Sequence, residues 1–167
     1  EVPPIHQNTA TSAVWLLNGD AGQRALAAWH MGWEPAMIAS GSGWQSPLLA
    51  DTLTDPYSAV RYIAHKALVK QPGFVAYKYD FVADEAKRLA KQKEAMGIWL
   101  REQRIKIPLS AGHVLLNAQG VRDVDRVQNL IRTRDNRPMR LRDKAPHSNM
   151  GCTPPPERGG SGADSSS

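Results

Sequence analysis

The run DTLTDPYSAVRYIAHKAL, Asp51 to Leu68, limits what this chain can fold into more than any other segment. Asp55 stands where its carboxylate can cap the amides that Pro56 opens, because proline is tolerated at the first helical position and an acid suits the positive helix end. A helix is therefore expected to start at Asp55. From there Tyr57, Val60, Ala64, Ala67 and Leu68 recur at three- and four-residue spacing and share one face, while Arg61, His65 and Lys66 fall to other sides. Alanines on successive turns let a neighbouring helix approach closely, which is the condition for stacking helix pairs.

A weaker copy lies upstream in TATSAVWLLNGDAGQRALAAWHMGW. Asp20 stands where Asp55 stands, and Gln23-Arg24 matches Val60-Arg61 if two residues are dropped between. Leu26, Ala27 and Met31 then match Ile63, Ala64 and Leu68. A spacing of about 35 residues is that of helical-pair repeats. The first helix of each pair is expected near Thr9 to Leu17 and Pro47 to Leu53, with a short extra turn at Pro35 to Ala39 and a break at Gly41-Ser42-Gly43. Two pairs are fewer than such arrays need, so the C-terminal half or a partner must cover the stack.

Downstream, PGFVAYKYDF is an aromatic loop in which Phe74, Tyr77, Tyr79 and Phe81 are expected to pin the chain to the flank of the stack. Val82 to Arg104 then reads as one long helix, with Val82, Ala86, Leu89, Met96 and Leu100 toward the core and Asp84, Lys87, Lys91 and Glu94 toward water. VLLNAQG turns at Asn117 to Gly120, and a last helix near Asp123 to Arg132 leads into an Arg-rich exit that ends at Pro138.

The fold class expected is all-α: a short α-α solenoid with an added long helix. Residues 1–8 would form an extended arm, 9–144 the helical domain and 145–167 a disordered tail. Of the 23 residues from Ala145 onward, 13 are Pro, Gly or Ser, a composition that buries too little apolar surface to order itself. No run of about 18 apolar residues marks a membrane span. The start Glu1-Val2-Pro3-Pro4 lacks the basic and apolar opening of a signal peptide, and a chain opening without Met reads as processed or excised.

The net charge of +5 is unevenly held. Residues 1–80 carry five Lys or Arg against six acids, and residues 81–167 carry sixteen against ten. The basic second half suits nucleic acid, anionic lipid or an acidic protein, and charge alone does not choose. Cys152 is the one cysteine, so an internal disulfide is excluded, and with no CxxCH the chain encodes no covalent c-type haem.

The phrases GDAGQRALAAWHMGWEPA, DPYSAVRYIAHKAL, QPGF and YKYDF, and the late pairing of LLNAQG with RTRDNRPMRL, resemble the HEAT-repeat domain at the C-terminal end of certain bacterial multihaem c-type cytochromes. The resemblance spans about Asn8 to Leu141. It implies a haem-free appendage exported to the periplasm or cell exterior, with haem c held by a partner or another segment. Two features depart from the family pattern: CxxCH is absent, and the acidic end that follows a DxRPV-like motif is replaced by Arg142-Asp143-Lys144.

No Ser-His-Asp, Cys-His or paired-carboxylate pattern stands at interpretable spacing, and no metal site is expected. His30, between Trp29 and Trp33, is the histidine most suited to a partner contact, sheltered by two indoles, although packing is the plainer reading. His6, projected by Pro3-Pro4, is a candidate axial ligand to a partner's haem, or a solvated terminal histidine. Arg24 and Arg61 stand at matching repeat positions and are expected to bond across the stack to an aspartate such as Asp20 or Asp55. The function these features imply is a non-catalytic scaffold, docking on a multihaem cytochrome electron-transfer assembly through Trp29, His30 and Trp33, with Arg132, Arg137 and Arg140 steering the encounter. The alternative is a nucleic-acid-binding HEAT-like protein. That reading needs a basic concave face on the repeats, and the repeats are close to neutral.

Overall fold

The computed structural model of the chain describes residues 8–41, 43–102, 111–117 and 119–138. Within them the regular structure is helical, apart from one isolated bridge between Leu116 and Arg122. The α-helices are α1 (Thr11–Asn18), α2 (Ala21–Met31), α3 (Glu34–Ser40), α4 (Gln45–Thr52), α5 (Ser58–Leu68), α6 (Glu85–Arg101) and α7 (Val124–Arg132), with a 3-10 turn at Ala111–Val114. The disordered tail expected over 145–167, the arm with His6, Arg140 and Cys152 lie outside the described residues.

α1 packs on α2 and α4 on α5, and the two pairs meet through α2 against α5 and α1 against α4. Arg24 and Arg61, Ala27 and Ala64, and Met31 and Leu68 occupy equivalent positions of α2 and α5, as the sequence alignment requires. The core face of α5 is the one its periodicity marks: Val60, Ala64, Ala67 and Leu68 are buried, and Tyr57 is partly so. α6 lies on α4 and α7 on α1, so the C-terminal half covers both first helices. α4 is buried along its whole length.

Three expectations need correction. The first concerns the start of α5, which begins at Ser58 with Tyr57 as N-cap and no side-chain cap. Asp55 does accept the Tyr57 amide at 2.9 Å, but it sits before the helix, fully buried, where two arginines take its carboxylate. Asp20 is the residue that caps: it accepts from the Gln23 amide at 2.8 Å, and the Gln23 side chain returns the bond to the Asp20 amide at 3.1 Å. This reciprocal pair is a capping box.

The second concerns the long helix, which runs from Glu85 to Arg101 and is turned relative to the expected face. Val82, Ala86, Leu89 and Leu100 are exposed, and Ala95 and Trp99 are buried, with Met96 partly so. Polar partners explain the rotation. Gln92 donates to Asp51 at 3.0 Å, Arg88 to the Ala83 carbonyl at 2.5 Å, and the Trp99 indole to the buried Gly43 carbonyl at 3.1 Å. A side chain that satisfies a buried acceptor fixes a helix face as firmly as an apolar one. Asp84 caps this helix through the Lys87 amide.

The third concerns Arg61, expected to lie off the core face. It is buried and donates to the carbonyls of Asp55 (2.6 Å), Pro56 (2.9 Å) and Phe81 (2.7 Å). It therefore meets no aspartate carboxylate; it pins the loop ahead of α5 to the aromatic segment. That segment packs as expected. Phe74 and Tyr77 are buried, Tyr77 donates to the Lys91 carbonyl at 2.7 Å, Tyr79 donates to the Leu53 carbonyl, and Phe81 meets Tyr62 edge to face.

Candidate functional site

Trp29 and Trp33 stand four residues apart at the end of α2, a spacing that puts both on one side. Their rings stack with centroids 6.2 Å apart at 14°, and they are 56% and 45% exposed. The His30 ring lies 5.4 Å from Trp33 and 6.4 Å from Trp29. His30 is exposed: the indoles flank it without the shelter expected of them.

Trp29, on which Trp33 stacks, borders an open groove of about 280 Å³ between α2 and α5, lined also by Tyr62, Ile63, Lys66 and Lys70. Its floor is backbone. Gly32 passes so close to α5 that a Cβ there would lie 2.7 Å from the Ala67 Cα. Lys70 reaches over the floor and donates to the Gly32 carbonyl at 3.1 Å, and Gln71, buried beneath, donates to the Met31 carbonyl at 3.0 Å. Beyond Lys70 a second open depression adds Met37, Ile38 and Val75, the last two almost fully in water. Large apolar side chains thus collect in one region, where a soluble surface would ordinarily scatter them. Tyr62, Lys66 and Lys70 were not among the expected contact residues. Tyr62 and Lys66 stand at off-core positions of α5, and Lys70 follows its end.

The described arginines expected to steer an encounter, Arg132 and Arg137, are elsewhere. Arg132, in the last turn of α7, is exposed and donates to Asn129 at 3.1 Å. Arg137 is exposed but clasped by Asp135, with contacts of 2.5 to 3.0 Å that hold the Asp135 carboxyl down at about 2. Its carbonyl accepts from the Tyr57 hydroxyl at 3.0 Å, which puts it near the start of α5. The indoles lie at the opposite end of α2, an 11-residue helix about 16 Å long. Trp29, His30 and Trp33 form one cluster; Arg132 and Arg137 do not join it.

Two buried ion clusters hold this frame. In the first, Arg24 and Asp55 are fully buried, with Nε 2.8 Å from Oδ2 and Nη2 donating to Oδ1 at 3.3 Å. Arg134 brings a second guanidinium to Oδ2 at 3.0 Å, and Arg24 Nη1 also donates to the Gly19 and Asp135 carbonyls. The expected bond from Arg24 across the helix pairs is thus made to Asp55, and the RTRDNRP segment closes over it. In the second, Asp51, 4% exposed in the last turn of α4, accepts Arg122 at 2.6 and 3.1 Å and Gln92 at 3.0 Å. Leu115, with its φ of 62°, turns the chain so that Leu116 bridges to Arg122. Asp51 escaped the sequence reading, though an acid inside the apolar run PLLADTL signals a need for a buried partner.

Burial pushes the Asp51 carboxyl up to about 6 against the opposing pull of Arg122. The folded chain then binds a proton between about pH 6 and the ordinary value of 3.8 that the unfolded chain does not. Asp51 therefore makes the fold gain stability as pH falls through that window and lose it as pH rises. Urea midpoints at pH 4.5 and pH 7 test this. The difference between the two should shift in that direction in the parent relative to Asp51→Asn, and equal differences would show that the carboxyl is not perturbed.

Among the described residues, no group of three or more His, Cys, Asp or Glu is placed to hold a metal ion, and no helix is long and apolar enough to cross a membrane. Comparison of the chain with protein-family models, curated proteins and solved structures returns no match.

Proposed function

We propose that this chain is a non-catalytic HEAT-type scaffold that docks on a multihaem c-type cytochrome assembly outside the cytoplasm, with the haem held by the partner. The observation that carries the docking surface is the exposed stacked pair Trp29–Trp33 beside the groove between α2 and α5. Exposed indoles at the edge of a pocket supply the anchor area that dominates protein interfaces. The pairing of α1–α2 with α4–α5 supports the HEAT reading. The cytochrome partner and the extracytoplasmic location rest on the resemblance of Asn8 to Leu141. Because the indoles and the arginines stand at opposite ends of α2, the partner would contact the first and be steered by the second.

Surface plasmon resonance against a multihaem c-type cytochrome tests the reading. Trp33→Ala should weaken binding by about 30-fold, chiefly through faster dissociation, as hot-spot truncations of about 2 kcal/mol do. Arg132→Glu with Arg140→Glu should instead slow association and reduce its salt dependence. Arg137→Glu should act likewise, because it changes the charge by the same amount and leaves Asp135 without its cation. Binding to duplex DNA with a steep salt slope, and to no cytochrome, would put the nucleic-acid alternative in its place.

A further inference from the structure

The groove has aromatic walls, a backbone floor and a cationic rim. Trp29 and Tyr62 line it, Trp33 stacks on Trp29, and Lys66 and Lys70 also line it, Lys70 being held to the Gly32 carbonyl. Grooves walled by aromatic rings suit proline runs. A polyproline strand is already extended, so little conformational entropy is lost on docking, and its rings pack flat on indole and phenol faces. A lysine rim adds a preference for an acid beside the prolines.

The chain itself carries that sequence. Thr153-Pro154-Pro155-Pro156-Glu157 holds three consecutive prolines followed directly by a carboxylate, outside the described residues. Reach is not limiting. Fourteen residues lie between Pro138 and Thr153. Fully extended, a chain of that length reaches about 50 Å, against a radius of gyration of about 15 Å for a chain of this size. A linker of that length holds the run near the groove at an effective concentration on the order of millimolar, enough to fill a weak site.

We propose that the groove between α2 and α5 takes the chain's own Pro154–Pro156 run, with Glu157 set against Lys66 and Lys70, so that residues 145–167 cover the docking surface until a partner displaces them. Displacement by a partner rests on the docking function above. Occupancy of the groove does not, and is measured without any partner.

The test uses the full-length chain and the indole N–H resonances of its tryptophans, assigned by single Trp→Phe substitutions. Replacing Pro154, Pro155 and Pro156 by serine should shift the Trp29 and Trp33 signals, while the buried Trp44 and Trp99 signals stay in place and report an intact fold. Glu157→Lys alone should cause a shift in the same direction. Adding Lys66→Glu and Lys70→Glu to Glu157→Lys should return the signals toward those of the parent. A parent spectrum that changes over a hundredfold dilution would show that the run docks on a second copy, and would overturn the intramolecular form. Trp29 and Trp33 signals that ignore both the proline and the Glu157 substitutions would overturn the proposal, whatever any cytochrome does.

Discussion

Replacing Asp55 by alanine should lower the stability of the chain by about 3–5 kcal/mol, measured as a loss of urea midpoint at unchanged slope. The size follows from what is left behind. Arg24 is fully buried and Arg134 partly so, with its side chain 15% exposed, and Asp55 is the carboxylate that both guanidiniums meet. Removing it strands two positive charges where water reaches poorly, which costs far more than the attraction the intact cluster adds. Asp55→Asn should lose nearly as much, because the amide still accepts from the Tyr57 N–H but carries no charge. A helix-capping role makes a different forecast: about 1 kcal/mol for alanine and less for asparagine. A loss that small would show that the arginines find other partners.

Leu68→Ala should cost about 2–5 kcal/mol, since Leu68 is fully buried in the central core and truncation leaves a cavity there. Leu89→Ala serves as its control. Leu89 was assigned to the core face of the long helix and is 43% exposed, so its truncation should stay within about 0.5 kcal/mol. Equal losses at the two positions would place α6 the other way round on α4.

The contrast between these two leucines shows where sequence reading works. α5 carries its apolar residues at a clean helical spacing and buries that face, so periodicity alone found Val60, Ala64, Ala67 and Leu68. α6 has a comparable apolar stripe, yet its seating was settled by Gln92 and Trp99 meeting acceptors on distant segments. Local spacing does not encode such partners. Asp20 and Asp55 teach the same lesson with one residue type. Asp20 caps because Gln23 answers it three residues on, a pattern written locally. Asp55 follows the same letters, but Arg24 and Arg134 approach from 31 and 79 residues away and claim its carboxylate.

The candidate surface was legible in part. Two tryptophans around a histidine stood out in the sequence and are brought together at the surface, whereas the lysine rim and Tyr62 come from a helix whose relation to α2 only packing reveals. The arginines were grouped with the indoles on charge alone, and the length of α2 separates them.

Docking on a multihaem cytochrome is tested most directly by what accompanies this chain when it is purified natively at low salt, read by absorption spectrum and by mass. A c-type haem spectrum from a separate co-purifying chain bearing CxxCH motifs, lost when Trp33→Ala is introduced, is the predicted result. A preparation that carries nucleic acid, shows no haem absorbance and is unchanged by Trp33→Ala would contradict it.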